Sequence, residues 1–135
     1  MTIQLVNPDG ISKPESYSQV AVAMGTRTIY LSGQVALDAR GQLVGAGDLA
    51  AQAEQAYLNV GAALAGVGAG FQDIARMNVY VVDWTQDKME QLVAGALRAG
   101  ESLGVDVRRA MTLIGVASLA APEFLIEVEA IAVID

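Results

Sequence analysis

The sequence predicts an α+β fold, a mixed sheet carrying two helices on one face, in the order β-β-α-β-α-β-β. Three observations support this. Strand-like and helix-like stretches alternate, yet turn signals of the hairpin kind are also present. Two long segments repeat apolar residues every three or four positions, as amphipathic helices do. The other stretches alternate apolar and polar residues with period two, which leaves one face for helices to cover and one polar face.

Residues 1–16 read as an irregular lead-in, punctuated by Pro8-Asp9-Gly10 and Pro14. Tyr17 to Met24 and Thr28 to Leu37 then read as strands joined in a hairpin at Gly25-Thr26. Asp38-Ala39-Arg40-Gly41 marks a second turn. A long helix opens at Gly47-Asp48 with Asp48 as N-cap, and its inner stripe is Leu49, Ala53, Ala56, Tyr57, Val60, Leu64 and Val67. Gly68 and Gly70 stop it. Ile74 to Val82 is the third strand. Thr85 is placed to cap a second helix whose inner stripe is Met89, Leu92, Val93, Ala96 and Leu97, with Gly104 at its end. Two closing strands follow, Ala110 to Leu119 and Phe124 to Val133.

The period-two faces agree with one another. Ile29, Leu31, Val35 and Leu37 share a face, as do Met77, Val79 and Val81, and then Phe124, Ile126, Val128 and Ala130. The opposite face collects Tyr30, Ser32, Gln34, Arg76, Asn78, Tyr80, Glu127 and Glu129, and no third helix is available to cover it. The chain has 135 residues and 14.0 kDa, enough for one domain over residues 1–135. Hydrophobic residues make up 53% and charged residues 17%, an apolar surplus that points to a subunit interface on the helix-free face.

Composition also excludes chemistries. With no histidine and no cysteine, serine–histidine triads, histidine or thiolate zinc sites, thiol nucleophiles and disulfides are impossible. Carboxylate, arginine, lysine, tyrosine and hydroxyl groups remain, with backbone amides and water. A net charge of −7 and a pI near 4.4 argue against nucleic-acid binding, which draws its affinity from neutralised phosphates. Met1 to Pro8 lacks the basic head and apolar run of a secretory leader, and no stretch reads as a membrane span, so a cytoplasmic location is expected. Gly66-Val67-Gly68-Ala69-Gly70 follows a helix and lacks a lysine, so it reads as a helix stop and not as a phosphate loop.

Several motifs, in order along nearly the whole chain, resemble the RidA (YjgF/YER057c/UK114) family: Tyr17-Ser18-Gln19, Ile29-Tyr30-Leu31-Ser32-Gly33-Gln34, Ala51-Gln52-Ala53-Glu54-Gln55 with Asn59-Val60, and Ile126-Glu127-Val128-Glu129-Ala130-Ile131-Ala132-Val133. The resemblance implies a chorismate mutase-like (ferredoxin-like) fold, a homotrimer with clefts between subunits, and hydrolysis of reactive enamines and imines to carbonyl compounds and ammonia without metal or organic cofactor. It places the family's pocket tyrosine on Tyr17, its serine–glycine pair on Ser32-Gly33, and its water-holding glutamate on Glu127. The arginine that clamps the substrate carboxylate in well-studied members falls on Met111, and RAMTLIGVASL resembles branches lacking it. Arg109 lies two residues earlier, on Met111's face in a regular strand and about 6–7 Å away. The family's pocket asparagine has no clear counterpart between Asp87 and Leu92.

Each candidate has a functional and a bland reading. Arg109 offers the planar fork that meets a carboxylate bidentately, or it is a strand-end arginine in solvent or paired with Asp106. Glu127 can orient water and shuttle a proton, or it belongs, with Glu129, to a solvated face or to an intersubunit pair with Arg76. Gly33 inside a strand marks a bulge or a close backbone approach. Ser32 closes the pocket or merely finishes the sheet, Tyr17 closes a cleft or is an exposed strand-start tyrosine, and Met111 makes the pocket floor less anion-selective. The reading is therefore an enamine/imine deaminase with an altered substrate, using Glu127 and Arg109. The alternative is a non-catalytic small-molecule-binding or interaction protein on the same trimeric scaffold. Ribonuclease activity, sometimes attached to this family, fits poorly with the charge and the missing histidine.

Overall fold

A computed structural model describes residues 3–135. Six strands and two helices follow in order: β1 (Ile3–Val6), β2 (Val20–Ala23), β3 (Arg27–Gln34), α1 (Leu49–Ala65), β4 (Ile74–Val82), α2 (Met89–Leu103), β5 (Met111–Val116) and β6 (Ile126–Ile134). The main sheet has strand order β3-β6-β4-β5, with β4 and β5 parallel and the other pairs antiparallel. This is the mixed α+β sheet that the alternation predicts. Strands β3 and β5 are its two edges.

Local chemistry explains the elements that the periodicity places well. The Asp48 carboxylate accepts from Ala51 N at 3.1 Å and opens α1, satisfying one of the four orphan donors of a helix start. Gly104 ends α2 in the left-handed conformation, φ 68°, that an L side chain rarely adopts. In β6 the even-numbered residues Ile126, Val128, Ala130, Ala132 and Ile134 are buried while Glu127 and Glu129 are half-buried on the other side. Strand β4 repeats the pattern with Met77, Val79 and Val81 inside. These side chains pack under Ala56, Tyr57, Val60 and Leu64 of α1 and Leu92 and Ala96 of α2, so both helices lie on one face. Each fully buried Val, Leu, Ile or Met contributes about 1.5–3 kcal/mol.

The structure corrects four expectations. The lead-in is not irregular throughout, because Ile3–Val6 is a strand that pairs antiparallel with Val20–Ala23. The expected hairpin at Gly25-Thr26 is absent: β2 pairs with β1, and β3 with β6. Gly25 instead lets the chain pass close against β6, where an added Cβ would stand 2.6 Å from the Ile134 carbonyl oxygen, while Thr26 N donates to that oxygen at 3.0 Å. Helix α1 ends at Ala65 with Gly66 as its cap, which leaves Val67 exposed beyond the helix. Thr85 makes no side-chain cap; it precedes a 3-10 turn, Gln86–Lys88, and α2 starts only at Met89.

The α2 stripe is corrected as well. Its buried residues are Leu92, Gly95, Ala96, Ala99 and Gly100, while Met89 and Leu97 are exposed. The reason is close helix packing: a Cβ on Gly95 would clash with the Ala50 carbonyl oxygen and stand 2.7 Å from Ala53 Cβ. Small residues, not large apolar ones, set the contact with α1.

Candidate functional site

Strand β3 carries a bulge between Leu31 and Gln34, which pair with Ala130 and Val128 of β6. Two residues, Ser32 and Gly33, thus oppose one residue of the partner strand. The bulge brings Gly33 against the Glu127 side chain. A Cβ at Gly33 would lie 2.5 Å from Glu127 Cδ, 2.7 Å from Cγ and closer still to Oε2. The glycine therefore makes room for the carboxylate, which lies along the backbone of the edge strand on the helix-free face.

Two amides of α1 hold this arrangement from behind. Gln52, fully buried, donates from Nε2 to Gly45 O at 3.1 Å and Glu123 O at 3.0 Å, and its Oε1 accepts from Leu125 N at 2.9 Å. It fixes the chain immediately before Ile126 and Glu127. Asn59 donates from Nδ2 to Val35 O at 2.9 Å and Leu37 O at 2.8 Å, fixing the chain that leaves the bulge. Sequence reasoning assigns neither residue a role. A signal exists nonetheless, since Gln52 stands three residues after Leu49 on the inward stripe, where a polar side chain needs partners.

Beside Glu127 on the same face, Tyr80 donates to Glu129 Oε1, and Asn78 Nδ2 donates to that oxygen at 3.0 Å. The Tyr80 hydroxyl, and then the Asn78 amide, hold the Glu129 carboxyl below its usual range; the same bond to Glu129 raises the Tyr80 phenol. Arg76 donates to Thr112 Oγ1 at 2.6 Å. Glu129 is thus committed to neighbours of its own face.

The other predicted residues lie elsewhere. Tyr17 and Met111 line a cavity of about 600 Å³ between α2, the start of β5 and the segment Glu15–Gln19. Its inner wall includes Tyr57, Leu92, Val93 and Leu113, and burial raises the Tyr57 phenol, so that wall stays uncharged. Ser18 N bonds Arg109 O at 3.0 Å, which sets Tyr17 beside β5. Arg109 itself is buried and is not among the cavity's walls: its guanidinium reaches Asp106 O at 3.3 Å and Gln72 O at 3.4 Å, and Nε has no partner. Desolvation lowers its pKa, with Asp106 and Asp73 opposing. Arg108 faces the rim and pairs with Asp106 at 2.6 Å, which holds that carboxyl down at about 2.

Glu127 and Met111 do not meet within one protomer. Tyr80 is the register partner of both Glu127 and Ile114, so Met111 stands three residues down β5 and two strands across. That is about 10 Å in each direction, with the two side chains on opposite faces of the sheet. Among the described residues no group of three or more acidic, His or Cys side chains is placed to hold a metal ion, and no helix is long and apolar enough to cross a membrane.

A mixed four-stranded sheet under two helices, bulged beside an acid of its last strand, defines a small α+β protein of the Rid class. Residues 10–134 match the family model described as Endoribonuclease L-PSP, and the chain belongs to that family, the one that its motifs resemble. The structure is similar to that of YyfB from Yersinia pestis, a protein of unknown function in the conserved Rid family, with TM-score 0.87 and 34% identity over 99% of this chain and 100% of that one. The sequence is 30% identical over 94 residues to the 2-iminobutanoate/2-iminopropanoate deaminase of Dermatophagoides farinae, covering 66% of this chain and 72% of the mite protein. It is 41% identical over 68 residues to the protein of the same name from Bos taurus, covering 50% of this chain and 47% of the bovine protein. The match thus spans about half the length of the mammalian relative.

Proposed function

We propose that this protein is an imine deaminase, hydrolysing reactive enamines and imines to carbonyl compounds and ammonia, and that it works as a homotrimer. The observation that carries the reading is the Glu127 carboxylate seated on the Gly33 backbone, where it can hold a water molecule and take its proton. The relatives named as iminobutanoate/iminopropanoate deaminases support the same chemistry.

The positions of the two halves support assembly. Ser32 and Gly33 lie on the β3 edge of the sheet with Glu127 next to them on β6, whereas Met111 lies on the β5 edge with Tyr17 packed beside it. Contact of one edge with the opposite edge of the next copy is heterologous, and with a rotation of one third of a turn it gives a closed ring of three with a cleft at each junction. The exposed Tyr30 and Ile131 on the helix-free face would be covered in that ring. In each cleft, Glu127 of one copy activates water opposite the Tyr17–Met111 cavity of its neighbour. We assign Arg109 a positioning role, bracing the base of β5 through its bonds to Gln72 and Asp106.

The test is ammonia release from imines generated in situ, together with sedimentation. Glu127→Gln is expected to lower kcat/KM by about 10²-fold or more, and the wild type to sediment as a trimer. Equal rates for the two proteins, or a stable monomer at working concentration, would refute the reading. Ligand-induced stabilisation without any product would favour instead the non-catalytic binding protein to which Met111 lends weight.

A further inference from the structure

We propose that the substrate of this site is an imine without a carboxylate, the condensation product of ammonia with an apolar aldehyde or ketone, whose hydrocarbon tail fills the cavity between α2 and β5. This rests on the imine deaminase reading and specifies its substrate class. The cavity, about 600 Å³, is of the size that ordinarily holds a small organic ligand, and Tyr57, Leu92, Val93, Met111 and Leu113 give it an apolar lining.

Its charges decide against an anion. Among the described residues that line the cavity Arg108 is the only cation. Its guanidinium is engaged: Nε bonds both Asp106 carboxylate oxygens at 3.0 and 3.1 Å, NH2 bonds one at 2.6 Å, and NH1 reaches Glu15 O at 3.5 Å. Arg109, next in sequence, turns away into backbone carbonyls. Glu15 adds a carboxylate at the mouth, on a chain of net charge −7. A carboxylate entering here would lose its hydration and find no free cation among the lining residues, Arg76 lying outside that lining and donating to Thr112, whereas a protonated imine is drawn in by the surrounding acid.

The reaction balances without a co-reactant. Water oxygen bonds to the imine carbon as its proton passes to Glu127. The carbinolamine R–CH(OH)–NH₂ takes that proton back on nitrogen, and the C–N bond breaks as the hydroxyl oxygen closes to the carbonyl and passes its own proton to Glu127. R–CH=NH₂⁺ plus H₂O thus gives R–CHO plus NH₄⁺ once Glu127 is deprotonated by the departing ammonia. Two-electron oxidation of an apolar primary amine is the class of reaction that supplies such an imine.

A matched pair tests this. The imine of 3-methylbutanal and 2-imino-4-methylpentanoate share an isobutyl tail and differ by the carboxylate; both are generated in situ by the corresponding amine and amino-acid oxidases. Wild-type kcat/KM is expected to favour the carboxylate-free imine by tenfold or more, and Met111→Arg to shift the ratio at least tenfold toward the imino acid. Preference of the wild type for the imino acid overturns the inference while leaving the deaminase reading intact. Should neither imine be accelerated, that reading fails, and binding decides the inference alone. Titration with 4-methyl-2-pentanone against 4-methyl-2-oxopentanoate should then show tighter binding of the ketone, lost in Val93→Trp. Tighter binding of the oxo acid, or binding of neither, overturns it.

Discussion

Gly33→Ala probes the bulge most directly. The φ of Gly33 is not in the left-handed region, so the backbone accepts alanine without strain. The new methyl would overlap Glu127 Oε2 and lie 2.5 Å from Cδ, whereas carbon–carbon contacts settle near about 3.5 Å, so the carboxylate has to retreat by at least about 1 Å. Glu127 is the free end of a flexible side chain, and moving it off its rotamer costs about 0.5–1.5 kcal/mol. Loss of glycine's freedom in the unfolded chain stabilises by about 0.4–1 kcal/mol. The two nearly cancel, and thermal stability should stay within a few degrees of wild type. Activity should not. A misplacement of about 1 Å at the reacting group lowers the rate about 10²-fold, which is about 2.7 kcal/mol in the barrier. Steady-state ammonia release, measured alongside thermal melting, reads both quantities. A folded variant within threefold of wild-type activity would refute the contact between Gly33 and Glu127 as a determinant of the site, and so would an unfolded one, because the displaced group would then be more than one flexible side chain.

Other perturbations test the supporting structure. Gln52→Leu leaves the Gly45 and Glu123 carbonyls and the Leu125 amide without their partner, and urea unfolding should show a loss of about 3 kcal/mol with little change in slope. Gly95→Ala drives a methyl into the backbone of α1 at Ala50 and Glu54, so a loss of about 1–3 kcal/mol is expected, where an ordinary helix position would gain stability. Asp106 has its carboxyl lowered by Arg108 from 3.8 to about 2. The stability the pair contributes is therefore fully present above the ordinary carboxylate value and is lost as pH falls toward about 2. Asp106→Asn should flatten that part of an acid-unfolding profile, by a small amount because the pair is half exposed. Tyr80→Phe removes the main cause of the lowered Glu129 carboxyl, and carboxyl-carbon NMR should show that group titrating nearer its ordinary value.

Elements whose cause is local are legible in the sequence. Asp48 announces α1 because a cap bonds an amide three residues away. The alternation of β4 and β6 is visible because a half-buried strand sorts its neighbours by face. The candidate site is legible only in pieces. Ser32, Gly33 and Glu127 lie toward one side of the sheet, on β3 and β6, and Tyr17 and Met111 at the other, beside and on β5, and no periodicity tells which place in the sheet a strand will take. Arg108 and Arg109 are adjacent in sequence, yet one is exposed and paired with the Asp106 carboxylate while the other is buried against the carbonyls of Gln72 and Asp106, a difference set by the chain packed around them.

What the chain alone determined is α1 with its cap, the two faces of β4 and β6, and the chemistry left once histidine and cysteine are absent, since these depend on neighbours a few residues apart and on composition. Tertiary structure alone decided which strands pair, that small residues draw α2 onto α1, that Gln52 and Asn59 tie the strands bearing Glu127 and Gly33, and that Arg108 and Arg109 are both engaged. Those contacts join residues tens of positions apart, and the register that brings them together is a property of the whole packed sheet, not of any segment in it.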